Sequence, residues 1–281
     1  MEQARFVTLF SSSKGNAAYI KYGRDEILID CGVSARMLER ALNLLGSSLT
    51  SISALFITHE HGDHIRGLES VCARIGFPVY APKNCCAYLE PSVAGAQTRL
   101  HPLEPLEPVE LFDLVICPIK TPHDSLDSCG FRINAGGEKL GYFTDIGCLS
   151  EPVLRGVSGC RRVVFESNHD IGMLKNGNYP PFLKKRILGD RGHLSNDLCS
   201  RLLPHLVSHG TESISLAHLS EQNNRPAIAL ATAEASLSAA GITAFGADGA
   251  AVAAALGREA PPPGEAKVRL QVSPVCGIAE L

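Results

Sequence analysis

The sequence predicts an α/β fold, because short apolar runs typical of strands alternate with segments that repeat apolar residues at helical spacing. The chain has 281 residues, of which 45% are hydrophobic, and this is enough to bury a core in one large domain or in two fused halves. A net charge of −3 excludes a general basic field. An anionic substrate would therefore need a local positive site.

The first third of the chain predicts four strands and two helices. Ser34 has the side chain and position of an N-cap for a helix that reaches about Leu45. The other helix, at about 64–75, is expected to end at Gly76. The strands are predicted at 5–10, 17–22, 26–32 and 54–58.

The remainder of the chain continues this alternation. Strands are predicted at 111–120, 130–136, 139–145, 161–167 and 213–220, with helices at 195–209, where Pro204 should introduce a bend, and at 226–240. Residues 245–265 are rich in Ala, Gly and Pro and are interpreted as a flexible insertion, after which 267–275 returns to a sheet as a strand. Residues 1–281 are thus expected to form a single domain.

The ten cysteines indicate a reducing compartment. They are scattered, no two form a CxxC pair, and no secretory signal precedes them. No apolar run reaches the roughly 20 residues that a transmembrane helix needs. We therefore expect a cytoplasmic protein with no membrane partner.

The stretch HEHGDH, residues 59–64, concentrates possible metal ligands directly after a predicted strand. Side chains two residues apart on a strand share a face, so His59 and His61 point the same way, and Asp63 and His64 follow Gly62 as a helix opens. Imidazole and carboxylate are ligands of divalent ions. A metal site explains this pattern better than a chance cluster on a solvated loop.

Four ligands in one motif exceed the usual three protein ligands of a catalytic zinc, which predicts two ions. His59 and His61 are assigned to one ion, and Asp63 and His64 to the other. The remaining ligands are sought at the ends of later strands, at His123, Asp145 and His218, with Asp145 bridging ions about 3.5–4 Å apart. The expected cofactors are two divalent metal ions, Zn or Mn.

This motif, followed by the later His, Asp and His, resembles the metallo-β-lactamase superfamily, which implies a four-layer αββα sandwich. The strings LFSSSKGNAAYI, ILIDCG, ESNHDIGMLKNGNYPPFLKKRILGDRGHLSN and LAHLSEQNN further resemble the YycJ/WalJ family over about residues 5–240. That resemblance implies exonuclease action on DNA, often with manganese. Two departures are the SSSKGN loop, where the family tends to have Ser-Gly-Ser, and the long 245–265 segment.

The predicted mechanism uses a hydroxide that two metal ions generate by lowering the pKa of water to about 7. Asp63 is a candidate acceptor for the proton of that water. Glu166 and His193 resemble the Glu and His of the tRNA-processing nuclease RNase Z, so His193 would protonate the leaving oxygen or bind phosphate. The alternative is that GHLSN only begins a helix, capped by Ser195 or Asn196.

Candidate substrate contacts fall into a basic run, a Ser/Gly loop and one further histidine. They are Lys184, Lys185, Arg186 and Arg191, then Ser11, Ser12, Ser13 and Asn16, and finally His169. The basic run also fits an ordinary solvated face, the loop fits a plain hairpin turn, and His169 fits a role supporting the metal ligands.

The favoured function is a metal-dependent phosphodiesterase, a DNA exonuclease whose partner is nucleic acid at DNA ends. One alternative is a small-molecule hydrolase acting on a cyclic or nucleotide phosphodiester or a glyoxalase-type thioester. A second is a non-catalytic, metal-binding regulatory protein. The sequence leaves the oligomeric state open.

Overall fold

A computed structural model describes residues 3–246 and 268–281, and the chain separates into two compact units. The first unit contains the residues up to Lys120, Asp124–Glu138 and Pro274–Glu280. The second contains Thr121–His123, the described part of Lys139–Ser273, and Leu281. Organisation as a single domain stays a prediction.

The first unit is built on a seven-stranded mixed sheet in the order β15-β1-β2-β3-β4-β5-β6. Its strands are β1 (Arg5–Ser12), β2 (Gly15–Tyr22), β3 (Asp25–Ile29), β4 (Ala54–Phe56), β5 (Val79–Pro82), β6 (Leu100–Leu103) and β15 (Ala279–Glu280). The strands from β15 to β3 pair antiparallel, whereas β3 to β6 pair parallel. Almost every residue of the central strands is buried, as expected for a sheet covered on both faces.

The helices of the first unit are short. They are α1 (Ala35–Leu44), α2 (Gly62–Ile65), α3 (Leu68–Cys72) and α4 (Lys83–Ser92), with a 3₁₀ turn at Leu49–Ser51. Ser34 caps α1 as predicted, because its side chain accepts a hydrogen bond from the Met37 N–H. Three further strands, β7 (Val109–Glu110), β8 (Leu114–Lys120) and β9 (Cys129–Ala135), pair antiparallel.

The second unit is built on parallel strands in the order β13-β14-β12-β11-β10. They are β10 (Glu138–Phe143, whose first residue belongs to the first unit), β11 (Arg162–Glu166), β12 (Ser213–Ala217), β13 (Ala244–Phe245) and β14 (Val268–Val272). The helices are α5 (Glu151–Val157), α6 (Ile171–Asn176), α7 (Pro181–Ile187), α8 (Asn196–Ser208) and α9 (Pro226–Ala239). Because β10, β11 and β12 are parallel neighbours, the residues that follow them meet at one edge.

One detail of the predicted helices is wrong. The helix predicted at 64–75 is interrupted between α2 and α3 and ends at Cys72. The Gly67 N–H donates to the Cys31 carbonyl at 2.8 Å, so the chain leaves its helical hydrogen bonds there. Pro204 lies inside α8, and the bend expected there stays a prediction.

The strand predicted at 267–275 is present as β14. Most of the insertion predicted at 245–265 lies outside the described residues. Among the described helices, none combines the length and apolar character that crossing a bilayer requires.

Candidate metal centre and catalytic histidine

The first unit gathers the four predicted ligands of the HEHGDH motif into one cluster. The ring centroid of His59 lies 4.6 Å from that of His61 and 4.1 Å from that of His64. Asp63 Oδ2 lies 3.5 Å from His64 Nε2. His59 and His64 are fully buried, whereas His61 is half-buried. The motif therefore gathers these side chains around the start of α2, and their role as metal ligands stays a prediction.

Asp30, which the sequence analysis did not single out, orients this cluster. Its carboxylate lies 2.8 Å from His64 Nδ1 and accepts hydrogen bonds from the N–H and hydroxyl of Thr58. The Thr58 hydroxyl in turn lies 3.0 Å from His59 Nδ1. Because Nδ1 of both imidazoles lies against an oxygen atom, Nε2 is the nitrogen through which each ring would bind a cation. The position of Asp30 at the end of β3, in the string IDCG, was the available signal.

Asn16 links the β1–β2 turn to the same motif. Its Nδ2 lies 3.1 Å from His64 Nε2 and 3.3 Å from Asp63 Oδ2, and its Oδ1 accepts the Ser12 N–H at 3.2 Å. Ser11 and Ser12 are buried at the end of β1, while Ser13 is exposed in the turn. Asn16 thus touches predicted metal ligands, and a substrate contact by these four residues stays a prediction.

Gly32 explains why the IDCG segment lies so close to the motif. Its Cα packs against the Asp63 carbonyl, and a Cβ at this position would clash with that backbone atom. The Cys31 N–H donates to the His64 carbonyl at 2.8 Å in the same contact. Only glycine permits this close approach of two backbones.

The second unit gathers donors from separate parts of the chain. Asp145 follows β10, Glu166 ends β11 and His218 follows β12. With His193, each offers a donor atom, and the four atoms lie within 4.8 Å of one another. His123 joins them, since its Nε2 lies 3.7 Å from Asp145 Oδ1.

Glu166 is the centre of this cluster. Its Oε1 lies 2.9 Å from His193 Nδ1 and 2.8 Å from His218 Nδ1. Its Oε2 accepts the backbone N–H groups of Ile146 at 2.8 Å and Leu194 at 3.1 Å. Burial would raise the pKa of Glu166, but the charge of His193 and the hydrogen bonds from both histidines lower that pKa to about 2.

These contacts separate orienting groups from possible ligands. Both oxygens of Glu166 are occupied by protein donors, so we interpret Glu166 as the group that orients His193 and His218 rather than as a ligand. His123 is held in the same way, with Nδ1 lying 3.0 Å from the Gly192 carbonyl. In each of these imidazoles Nδ1 makes the orienting contact, so Nε2 is the nitrogen that would meet a cation or a substrate.

Three residues of the two clusters adopt left-handed backbone conformations. Asp30, Asp145 and His218 have φ values of 62°, 58° and 57°. Asp and His tolerate this region better than most residues, and such strain concentrates at functional sites. Each of these residues lies just after a strand. The turn in the backbone there breaks the regular alternation of side chains between the two faces of the strand.

The predicted substrate contacts on the basic run have different surroundings. The guanidinium of Arg191 donates to the His123 carbonyl at 2.9 and 2.7 Å, so it helps to position a predicted ligand. Lys184 Nζ donates to the Lys175 carbonyl at 2.7 Å, whereas Lys185 and Arg186 are exposed on α7. Contact of these four residues with substrate stays a prediction.

His169 lies in the core of the second unit. It is almost fully buried, and burial lowers the pKa of His169 to about 4. Its carbonyl accepts the Asn196 N–H at 2.9 Å. Asn224, whose role the sequence did not reveal, donates to the carbonyls of Ser167 and Asn168, and thereby fixes the chain between Glu166 and His169.

Comparison with known proteins agrees with this geometry. Residues 25–206 match the model of the β-lactamase superfamily domain. The chain is 31% identical to exodeoxyribonuclease YycJ of Bacillus anthracis over 80% of this chain and 85% of that protein. The chain belongs to the YycJ/WalJ family of the β-lactamase superfamily.

Two other similar proteins extend the comparison. Exodeoxyribonuclease WalJ of Streptococcus pneumoniae is 29% identical over 78% of this chain and 83% of its own length. The crystal structure of YhfI from Bacillus subtilis, a metallo-β-lactamase fold protein, covers 100% of both chains with a TM-score of 0.66 and 14% identity. The predicted α/β, metallo-β-lactamase class of fold is confirmed, and family membership together with the His/Asp clusters indicates binding of divalent metal.

Proposed function

We propose that the protein is a metal-dependent phosphodiesterase that removes nucleotides from DNA ends. The observation that carries this proposal is the Glu166–His193 pair beside Asp145 and His218, in a chain whose relatives are named exodeoxyribonucleases. An acid poised next to possible metal ligands suits the cleavage of a bond with a poor leaving group. The two relatives named above supply DNA as the substrate class.

Seven residues are proposed as the ligands of two divalent ions, Zn or Mn: His59, His61, Asp63, His64, His123, Asp145 and His218. The donor chemistry fits, because imidazole Nε2 atoms whose Nδ1 is already held, together with carboxylates, match the preferences of these ions. When bound, such ions lower the pKa of water and offset the charge that develops on a phosphate.

Residues of the chain are proposed to accept and donate the protons of the reaction. Asp63, whose Oδ2 is held by the Asn16 amide, is proposed to accept the proton of the attacking water. His193 is proposed to donate a proton from Nε2 to the leaving oxygen, and the ionised Glu166 stabilises its positive charge and keeps the ring in place. His193 is partly exposed, as contact with a substrate requires.

The substrate assignment is supported by the exposed cations of α7. Lys185 and Arg186 lie on a helix that precedes His193 by a few residues, where they suit a polyanionic strand. A small cyclic or nucleotide phosphodiester needs no such extended basic surface.

We propose that the protein acts in the cytoplasm, because its ten cysteines are scattered along the chain and no two form a CxxC pair. All ten cysteines lie in the described ranges, and none of them forms a disulfide there. Reduced thiols are typical of a reducing compartment.

The proposal is tested with purified protein, manganese, and end-labelled single-stranded DNA, double-stranded DNA and RNA of one sequence, with bis-p-nitrophenyl phosphate as a small phosphodiester. We expect stepwise shortening of DNA from an end, abolished by EDTA. Internal cuts, a preference for RNA, or hydrolysis restricted to the small phosphodiester would contradict the assignment.

A further inference from the structure

Helix α7 presents an aromatic ring and two cations on a single face. Phe182, Lys185 and Arg186 stand at positions i, i+3 and i+4, which lie side by side on a helix. All three residues are exposed, and 75% of the Phe182 surface is accessible to solvent. The opposite face of the helix carries Ile187, which is buried.

The end of this helix is attached directly to the proposed catalytic histidine. The His193 N–H donates to the Ile187 carbonyl at 3.0 Å. Gly192 packs against the carbonyls of Arg186 and Ile187 so closely that a Cβ would clash with both. The exposed face of α7 and the imidazole of His193 therefore belong to one rigid segment of the second unit.

The residue types on this face suit a single-stranded nucleic acid, because an aromatic ring can stack on a base while neighbouring cations lie beside the phosphates. Aromatic rings flanked by Lys and Arg are the recurrent means of holding single strands without sequence preference.

We propose that Phe182 stacks on a base of single-stranded DNA while Lys185 and Arg186 neutralise the adjoining phosphates, and that this holds the strand for cleavage at His193. The inference rests on the proposed function and adds a residue that binds the bases rather than the backbone. Because every base offers a π-face, this contact would favour frayed or single-stranded ends over paired ones.

The test measures binding and turnover separately. Binding of an end-labelled oligothymidylate is followed by fluorescence anisotropy in the His193→Ala background loaded with manganese, where turnover is suppressed. Adding Phe182→Ala should raise Kd about tenfold, in the range that base stacking contributes. Phe182→Trp should restore it, because the ring is retained. In the otherwise wild-type enzyme, Phe182→Ala should raise KM more than it lowers kcat.

The decisive comparison uses an oligonucleotide whose terminal nucleotides are abasic. In the His193→Ala background, the proteins with and without Phe182→Ala should bind this oligonucleotide with the same Kd, since no base is available to stack. The matched control is Phe112→Ala, which removes a ring with 76% exposure from the first unit and should leave Kd and turnover unchanged.

Two results would overturn the proposal: an unchanged Kd for Phe182→Ala, or the same increase on normal and abasic strands. An enzyme that binds DNA through Phe182 but hydrolyses only a small phosphodiester would instead refute the proposed function and leave the stacking contact intact.

Discussion

The two clusters of possible ligands differ in how their residues are distributed along the chain. In the first unit, six consecutive residues, 59–64, supply His59, His61, Asp63 and His64. In the second unit, the donors are spread from His123 to His218 and meet because β10, β11 and β12 are parallel neighbours. A local motif carries its own geometry, whereas the dispersed cluster depends on strand order.

The clusters also differ in the carboxylate that orients them. Asp30 contacts one imidazole directly, that of His64, and reaches His59 through Thr58. Glu166 contacts two imidazoles directly, those of His193 and His218. The second carboxylate therefore couples a proposed ligand to the proposed catalytic acid, and the first serves proposed ligands alone.

The largest expected effect comes from breaking the local cluster. His61→Ala should abolish manganese-dependent hydrolysis of bis-p-nitrophenyl phosphate and leave the fold intact, because His61 is a proposed ligand at a half-buried position. Turnover and a circular dichroism melting curve measure the two properties. His101→Ala, at an exposed histidine of β6, is the matched control. Normal turnover by His61→Ala would refute the ligand assignment.

The next effect separates catalysis from metal binding in the second cluster. His193→Ala should lower kcat by about 10²–10⁴, the usual contribution of a positioned acid, with bound metal retained. Metal content is measured by atomic absorption beside the turnover assay. His205→Ala, which removes an imidazole that contacts Ser158, serves as the control. Parallel losses of metal and turnover would place His193 among the ligands.

The third effect compares the two orienting carboxylates. Asp30→Asn and Glu166→Gln should each weaken manganese affinity about 10- to 100-fold, since each replaces the carboxylate that holds a ligand imidazole by a neutral amide with only one acceptor oxygen. Only Glu166→Gln should also lower kcat at saturating manganese, because it alone contacts His193. Activity is measured across a manganese titration. Equal kcat values for the two variants at saturation would contradict the proposed coupling.

The smallest expected effect tests which of the two units contacts the phosphates of the DNA. Lys185→Ala should reduce the slope of log binding constant against log salt by about one, as expected for one lost phosphate contact. Fluorescence anisotropy at several salt concentrations gives this slope. Lys83→Ala removes an exposed lysine of the first unit that pairs with Glu104, and its slope should match wild type. Equal slopes for all three proteins would remove Lys185 from the proposed interface.

Much of the candidate site could be predicted from the sequence, because the residue patterns that indicate it extend over only a few positions. The HEHGDH motif needs only strand alternation and a turn, and Asp145 and His218 each follow a recognisable apolar strand. Family resemblance added Glu166 and His193, and the structure joins these two by a hydrogen bond of 2.9 Å. The strands β5 and β6 were missed because each is only four residues long, too short for a clear period.

The sequence by itself determined the class of fold and the strand ends on which the proposed ligands lie, since hydrophobic periodicity and turn residues act over a few positions. Only the tertiary structure decided which group holds which imidazole: Asp30 for His64, Glu166 for both His193 and His218, and the Gly192 carbonyl for His123. These partners are separated by 27 to 69 residues, and strand pairing and close backbone packing select them. No local pattern records such choices, because they arise when distant parts of the chain are buried together.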